Sequence, residues 1–169
     1  MQDLKDKVIA ITGGATGIGF ALAKTLGQEG AKIIIGEPRK EKLEEAVKII
    51  RDLGIESYET ILDVTNLKSV EEFAEFTIKS FGHVDILINN AGISGARGRI
   101  DKVDINEAKN VFDVNFFGVW HGCAVFSKKM IEQGTSAAIY NLGSENSLFI
   151  AVPKSVAYVA SKHAVFALS

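Results

Sequence analysis

Residues 7–19 read KVIAITGGATGIG, an apolar, β-branched run that breaks at once into a glycine cluster. The run, KVIAIT (7–12), has the length and composition of a strand buried on both faces. Behind the glycines, Ile18, Ala21, Leu22 and Leu26 recur at helical spacing over 18–29, and Gly30 supplies a stop. Gly13, Gly17 and Gly19 therefore occupy a strand-to-helix turn, where the backbone can bend sharply and approach a pyrophosphate at a helix N-terminus. A glycine cluster alone serves any tight turn, so its meaning depends on the rest of the chain.

Downstream, the same alternation of strand and helix repeats. AKIIIG (31–36) reads as a second strand, and Pro38 opens the charged helix EKLEEAVKIIRDLG (41–54). SYETILD (57–63) is a third strand, succeeded by an amphipathic helix over 67–81 with Val70, Phe73, Ala74 and Ile78 on one stripe. VDILINNAG (84–92) is a fourth strand, and residues 104–133 form a long, largely apolar helical region. SAAIYNLGS (136–144) is a fifth strand, and a last helix begins near Ser155 or Ala157. Strand–helix alternation with nearly unbroken apolar strands predicts an α/β fold, a doubly wound parallel sheet of Rossmann type. Residues 1–169 form one domain with no linker or repeat, and the sheet stops after the fifth strand. The doubly wound dinucleotide fold uses a sixth, so the chain is expected to be a fragment, aggregation-prone and inactive by itself.

Composition narrows the function. The net charge is −2, from 19 basic and 21 acidic residues spread along the chain, which offers no basic surface for nucleic acid or an anionic membrane. The start, MQDLKDKV, has no signal-peptide core, and no apolar run approaches the ~18 residues of a membrane span. With Cys123 as the only cysteine, a cytoplasmic protein is the expectation. His83, His121 and His163 have no ligand spacing with one another or with Cys123, so no metal is expected.

Glu37 ends the second strand, 18 residues after Gly19, where a carboxylate can accept hydrogen bonds from an adenosine ribose. The glycine spacing is TGxxxGxG rather than GxGxxG. Together with NNAG (89–92) and YVASK (158–162), it resembles the short-chain dehydrogenase/reductase family, and the resemblance runs over essentially the whole chain. It implies that Gly13, Thr16, Gly17, Ile18 and Gly19 hold a dinucleotide, that Asp63 and Val64 flank its adenine, and that Asn90, Ala91 and Gly92 let it pass closely. Asp63 reads equally well as an N-cap of the helix after it. Glu37 repels a 2′-phosphate, which predicts NAD rather than NADP, although Arg39 lies where a cation could hold that phosphate.

Tyr158 and Lys162 lie four apart on the last helix and share a face. A lysine charge beside a phenol favours its phenolate form, which makes the pair an acid/base for an alcohol or a carbonyl. Taken alone the pair means little, because a tyrosine beside a snorkelling lysine is common. The resemblance makes both residues catalytic and places both against the cofactor. It adds Ser144 as the donor to the substrate oxygen and Asn115 as the site of a water that links the lysine to solvent. Ser144 lies fourteen residues before Tyr158, one more than the family spacing, so Ser147 is the fallback. Glu145 has the standard spacing but cannot donate when ionised.

These residues imply an oxidoreductase moving a hydride between NAD(H) and a secondary alcohol or ketone. An NADP-dependent carbonyl reductase and a non-catalytic nucleotide-binding relative are the alternatives. Residues 93–99 and 148–153 are expected to line a pocket for a largely hydrophobic small molecule. The aromatic stripe of Phe112, Phe116, Phe117, Trp120 and Phe126 reads as core. Apolar residues round the helices at 107–133 and from 157, with the pairing the family uses, predict a homo-dimer or tetramer.

Overall fold

The computed structural model of the chain describes residues 4–145 and 152–169. Five strands form one parallel sheet: β1 (Val8–Thr12), β2 (Lys32–Glu37), β3 (Ser57–Ile61), β4 (Ile86–Asn89) and β5 (Ala138–Asn141), in the order β3-β2-β1-β4-β5. Helices α1 (Gly17–Gln28), α2 (Lys40–Asp52), α3 (Leu67–Phe81), α4 (Ile105–Phe112), α5 (Gly118–Gln133) and α6 (Val156–Leu168) cover both faces. No helix among the described residues is long and apolar enough to cross a membrane.

The period-two geometry of a strand sorts the isoleucines into two cores. Ile9, Ile11, Ile33 and Ile35 pack with Leu43, Val47 and Ile50 of α2 on one face. Ala10, Ile34 and Leu87 turn to the other face, against Phe73 of α3 and Phe126 of α5. Ile33, Ile34 and Ile35 are all fully buried, and each contributes roughly 1.5–3 kcal/mol relative to an exposed side chain. β1 sits in the middle, paired through Ile11 with Ile35 on one side and Ile88 on the other. The chain leaves β1 in one direction and returns at β4 in the other, so a crevice opens at the C-terminal ends of these two strands.

Three sequence expectations change. The helical region over 104–133 is not one regular helix: α4 gives way to a π-helical turn (Asp113–Phe117) before α5 begins, with Gly118 N–H reaching back to Asp113 O. The aromatic stripe is not all core. Phe126 is fully buried, whereas Phe117 is 46% and Trp120 51% exposed. Asp63 does not cap α3. Asn66 does, accepting from Lys68 N–H at 3.0 Å, while Asp63 Oδ1 closes a local turn with Thr65 N–H at 2.9 Å and Thr65 Oγ1 at 2.7 Å.

Candidate active site

The glycine loop leaves β1 at the buried Thr12. Gly13 has φ +64° and Gly17 φ +54°, left-handed values that strain any residue with a Cβ. α1 starts at Gly17, and its N-cap, Thr16, makes no side-chain capping bond, so the first-turn N–H groups have no partner from that side chain. The end of β4 clamps this loop from the other side. Asn90 Nδ2 donates to Thr12 O and Gly13 O, both at 2.9 Å, and the N–H groups of Asn90 and Ala91 donate to Thr12 Oγ1 at 3.1 and 3.0 Å. Gly19 faces this clamp: a Cβ there would fall on Asn90 Nδ2 and 2.5 Å from Gly13 O.

Glu37, only 2% exposed, closes β2 beside the loop. Its Oε1 accepts from Arg39 Nε at 2.5 Å, and Arg39 Nη2 donates to Thr16 Oγ1 at 3.2 Å. The hydrogen bond to Glu37, reinforced by the carboxylate's charge, makes the guanidinium hold its proton more tightly than usual. Asp63 and Val64 come just after the end of β3. Val64 O accepts from His121 Nδ1 of α5 at 2.9 Å, and because a carbonyl only accepts, Nδ1 carries the hydrogen.

A cleft of about 730 Å³ runs from Gly13, Thr16, Gly17 and Ile18, past Glu37, Arg39, Asp63 and Val64, to Asn90, Ala91 and Gly92. It is also lined by Tyr158 and Lys162, so the residues expected to hold a cofactor and those expected to act as acid/base face one space. Lys162 is 5% exposed and donates to Leu142 O at 2.6 Å; its burial lowers the affinity of the amine for its proton. Asn115, on the π turn, is fully buried and stands behind the cleft. Its Oδ1 accepts from Ile93 N–H at 2.8 Å, and its Nδ2 donates to Ile93 O at 2.9 Å and Ser161 Oγ at 3.1 Å. A Cβ on Gly92 would lie 3.3 Å from Asn115 Oδ1 and 3.7 Å from Lys162 Nζ, so glycine permits the close approach there. Ser144 is half-buried and comes directly after Gly143, which lines the cleft. Ser147 and most of the 148–153 stretch lie outside the described residues.

Three contributors escaped the sequence reading: Thr12, whose hydroxyl holds two β4 N–H groups; the Leu142 carbonyl, which holds Lys162; and Ser161. Thr12 opens TGxxxGxG and Ser161 sits inside YVASK, so both were visible as motif letters without a role. Among the described residues, no group of three or more His, Cys, Asp or Glu could hold a metal ion.

The chain resembles known proteins along its whole length. C alpha-dehydrogenase of Sphingobium sp. is 34% identical over 164 residues, which are 95% of this chain and 54% of that protein. A short chain dehydrogenase/reductase of Burkholderia phymatum, solved in complex with NAD, superposes with a TM-score of 0.95 at 36% identity, over 99% of this chain and 59% of that one. NAD+-bound xylitol dehydrogenase superposes with a TM-score of 0.94 at 31% identity, over 99% of this chain and 64% of that one. The chain thus spans between about half and two thirds of the length of these relatives. The family model described as short chain dehydrogenase matches residues 7–169, and the chain belongs to that family.

Proposed function

We propose that the protein containing this chain is an NAD-dependent oxidoreductase that interconverts a secondary alcohol and a ketone. The observation that carries this reading is that Tyr158 and Lys162 line the same cleft as the glycine loop and Glu37. The residues fit a dinucleotide. The left-handed glycines and the uncapped first turn of α1 suit a pyrophosphate, and the carboxylate of Glu37 suits ribose hydroxyls. The chemistry supplied by such a cofactor is hydride transfer.

The chain's own groups handle the proton. In the oxidative direction Tyr158 takes the proton of the substrate hydroxyl, and in the reductive direction it returns that proton to the carbonyl oxygen. Lys162 supports the charge that forms on Tyr158, and Ser144 donates a hydrogen bond to the substrate oxygen. Asn115 supports the loop around Ile93 and the proton path to solvent. Ile93, 36% exposed on the cleft wall, favours a largely apolar substrate. Two relatives in NAD-bound form agree with the cofactor. NADP is the second reading, favoured by Arg39 at the mouth of the ribose site.

The test is turnover of the protein at its natural length with NAD and NADP over a panel of secondary alcohols. Tyr158→Phe should abolish kcat and leave cofactor affinity nearly unchanged, because the ring still packs and only the proton is gone. Retention of roughly a tenth of the parent rate would remove Tyr158 as the acid/base.

A further inference from the structure

One buried hydroxyl between the two reacting side chains has no part in the proton transfer described above. Ser161 lies on α6 between Tyr158 and Lys162 and is fully buried. Its Oγ donates to Tyr158 O at 2.7 Å and accepts from Asn115 Nδ2 at 3.1 Å. A hydroxyl has one hydrogen, so with that hydrogen on Tyr158 O, the Asn115 amide can only be the donor. The same amide engages both main-chain groups of Ile93, at 2.8 and 2.9 Å, and Ile93 lines the cleft. The result is a continuous chain from Tyr158 O through Ser161 and Asn115 to Ile93. It joins α6 to the π turn across 46 residues and the π turn to the loop after β4 across 22. A helical serine that only bonded back to its own helix would be a local matter. The bond from Asn115 makes this one a tie between elements.

We propose that Ser161 is a positioning residue for the Tyr158–Lys162 pair, fixing α6 against Asn115 and the cleft wall at Ile93. This rests on the reaction assigned above to Tyr158 and Lys162. Ser161→Ala removes the hydroxyl and little else. Asn115 Nδ2 keeps Ile93 O, and the bond from Ser161 to Tyr158 O is one of two that a helical carbonyl can accept. The glycine loop and Glu37 are untouched.

The experiment compares the protein at its natural length with Ser161→Ala and Ser161→Thr. It measures kcat, NAD affinity by fluorescence titration, and hydrogen exchange of the Ile93 amide. In Ser161→Ala, kcat should fall by about 10- to 100-fold, the size of a sub-ångström to ångström misplacement. NAD affinity should fall far less than kcat, since the glycine loop and Glu37 are untouched and only the contacts of Tyr158 and Lys162 shift, and the Ile93 amide should exchange faster. Ser161→Thr keeps a hydroxyl able to bond back along a helix and should recover most of kcat. A kcat for Ser161→Ala within about twofold of the parent overturns the proposal whatever the change in stability. So does a parallel loss of kcat and NAD affinity that threonine does not repair, which marks a general packing defect. If the parent itself turns over no alcohol, the oxidoreductase reading has failed. The Ile93 amide then decides the tie alone, and exchange unchanged by Ser161→Ala rejects it.

Discussion

Gly19→Ala separates the two jobs a glycine can do in this loop. Gly19 is helical, so its backbone accepts any residue, and alanine gains about 1 kcal/mol in helix propensity. Against this stands the space. The new methyl would fall on Asn90 Nδ2, lie 2.5 Å from Gly13 O and 3.0 Å from Asn90 Cγ, and so enter the hydrogen bond that joins them. Losing the two carbonyl bonds of Asn90 costs about 0.5–1.5 kcal/mol each, and forcing a methyl into a filled site costs about 1–3 kcal/mol more. The net is a destabilisation of roughly 1–5 kcal/mol, which at this size lowers Tm by roughly 2–4 °C per kcal/mol. Gly17→Ala is the contrast, because a Cβ there has no atom within 4 Å and the only penalty is that of φ +54°. That cost is about 1–2 kcal/mol. Thermal unfolding of both variants in the natural-length protein, with NAD titration of each, gives the comparison. Gly19→Ala no less stable than the parent would refute the clamp between Asn90 and the loop.

Glu37→Ala removes a buried, charge-assisted acceptor and frees Arg39, so NAD should bind about 10- to 100-fold more weakly and NADP better. Tighter NADP than NAD binding by the parent would mean that Arg39 governs the choice. Burial disfavours the Asp85 carboxylate, but hydrogen bonds from Lys7 Nζ and Val8 N–H, both at 2.9 Å, and the nearby Lys7 and His83 outweigh it and hold its pKa below the usual 3.8. A carboxyl depressed on folding binds fewer protons when folded, so its contribution is complete above that usual value and lost as pH falls through the lower one. Asp85→Asn should therefore flatten the loss of Tm at acid pH, and parallel curves for variant and parent would exclude the role. Phe117 at the end of the π turn, Trp120 on α5 and Phe166 on α6, each about half exposed, fit the homo-oligomer expected from the sequence. Trp120→Glu should shift light scattering toward the monomer, and a parent already monomeric at micromolar concentration would count against it.

Much of this was legible because it is local. An apolar run leading into glycines specifies strand, turn and helix within a dozen residues, and α1 and β2 begin within a residue of expectation. Glu37, Asp63, Asn90 and Gly92 could be singled out, and they line the cleft, because each lies within a few residues of a strand end, where a doubly wound sheet puts its crevice. The aromatic stripe failed on phase. Phe117 and Phe126 are nine residues apart and so about 180° out of register on a helix, and one face cannot hold both. The π turn carries no proline and no internal glycine to announce it, and its signal is the buried Asn115 itself. Asp63 was ambiguous because Thr65 competes for its carboxylate, which leaves the cap to Asn66. Ser161 was missed because its partner is 46 residues away.

The same long-range bonds bear on the one-residue departure from family spacing expected if Ser144 is the partner of Tyr158. An added residue in a loop displaces the next helix only if loop length sets the position of that helix. Here α6 has other restraints. Lys162 Nζ reaches Leu142 O, one residue past the end of β5, and Asn141, the last residue of that strand, is itself held by Asn89 of β4. Ser161 reaches Asn115 on the π turn. One bond fixes α6 to the sheet and the other fixes it to the helical layer, and neither passes through residues 145–157. With both ends of that segment held from outside, an extra residue costs only slightly more loop entropy, since closure grows with the logarithm of length. Tyr158 and Lys162 can then keep their place at the cleft whatever the number of residues that precede α6.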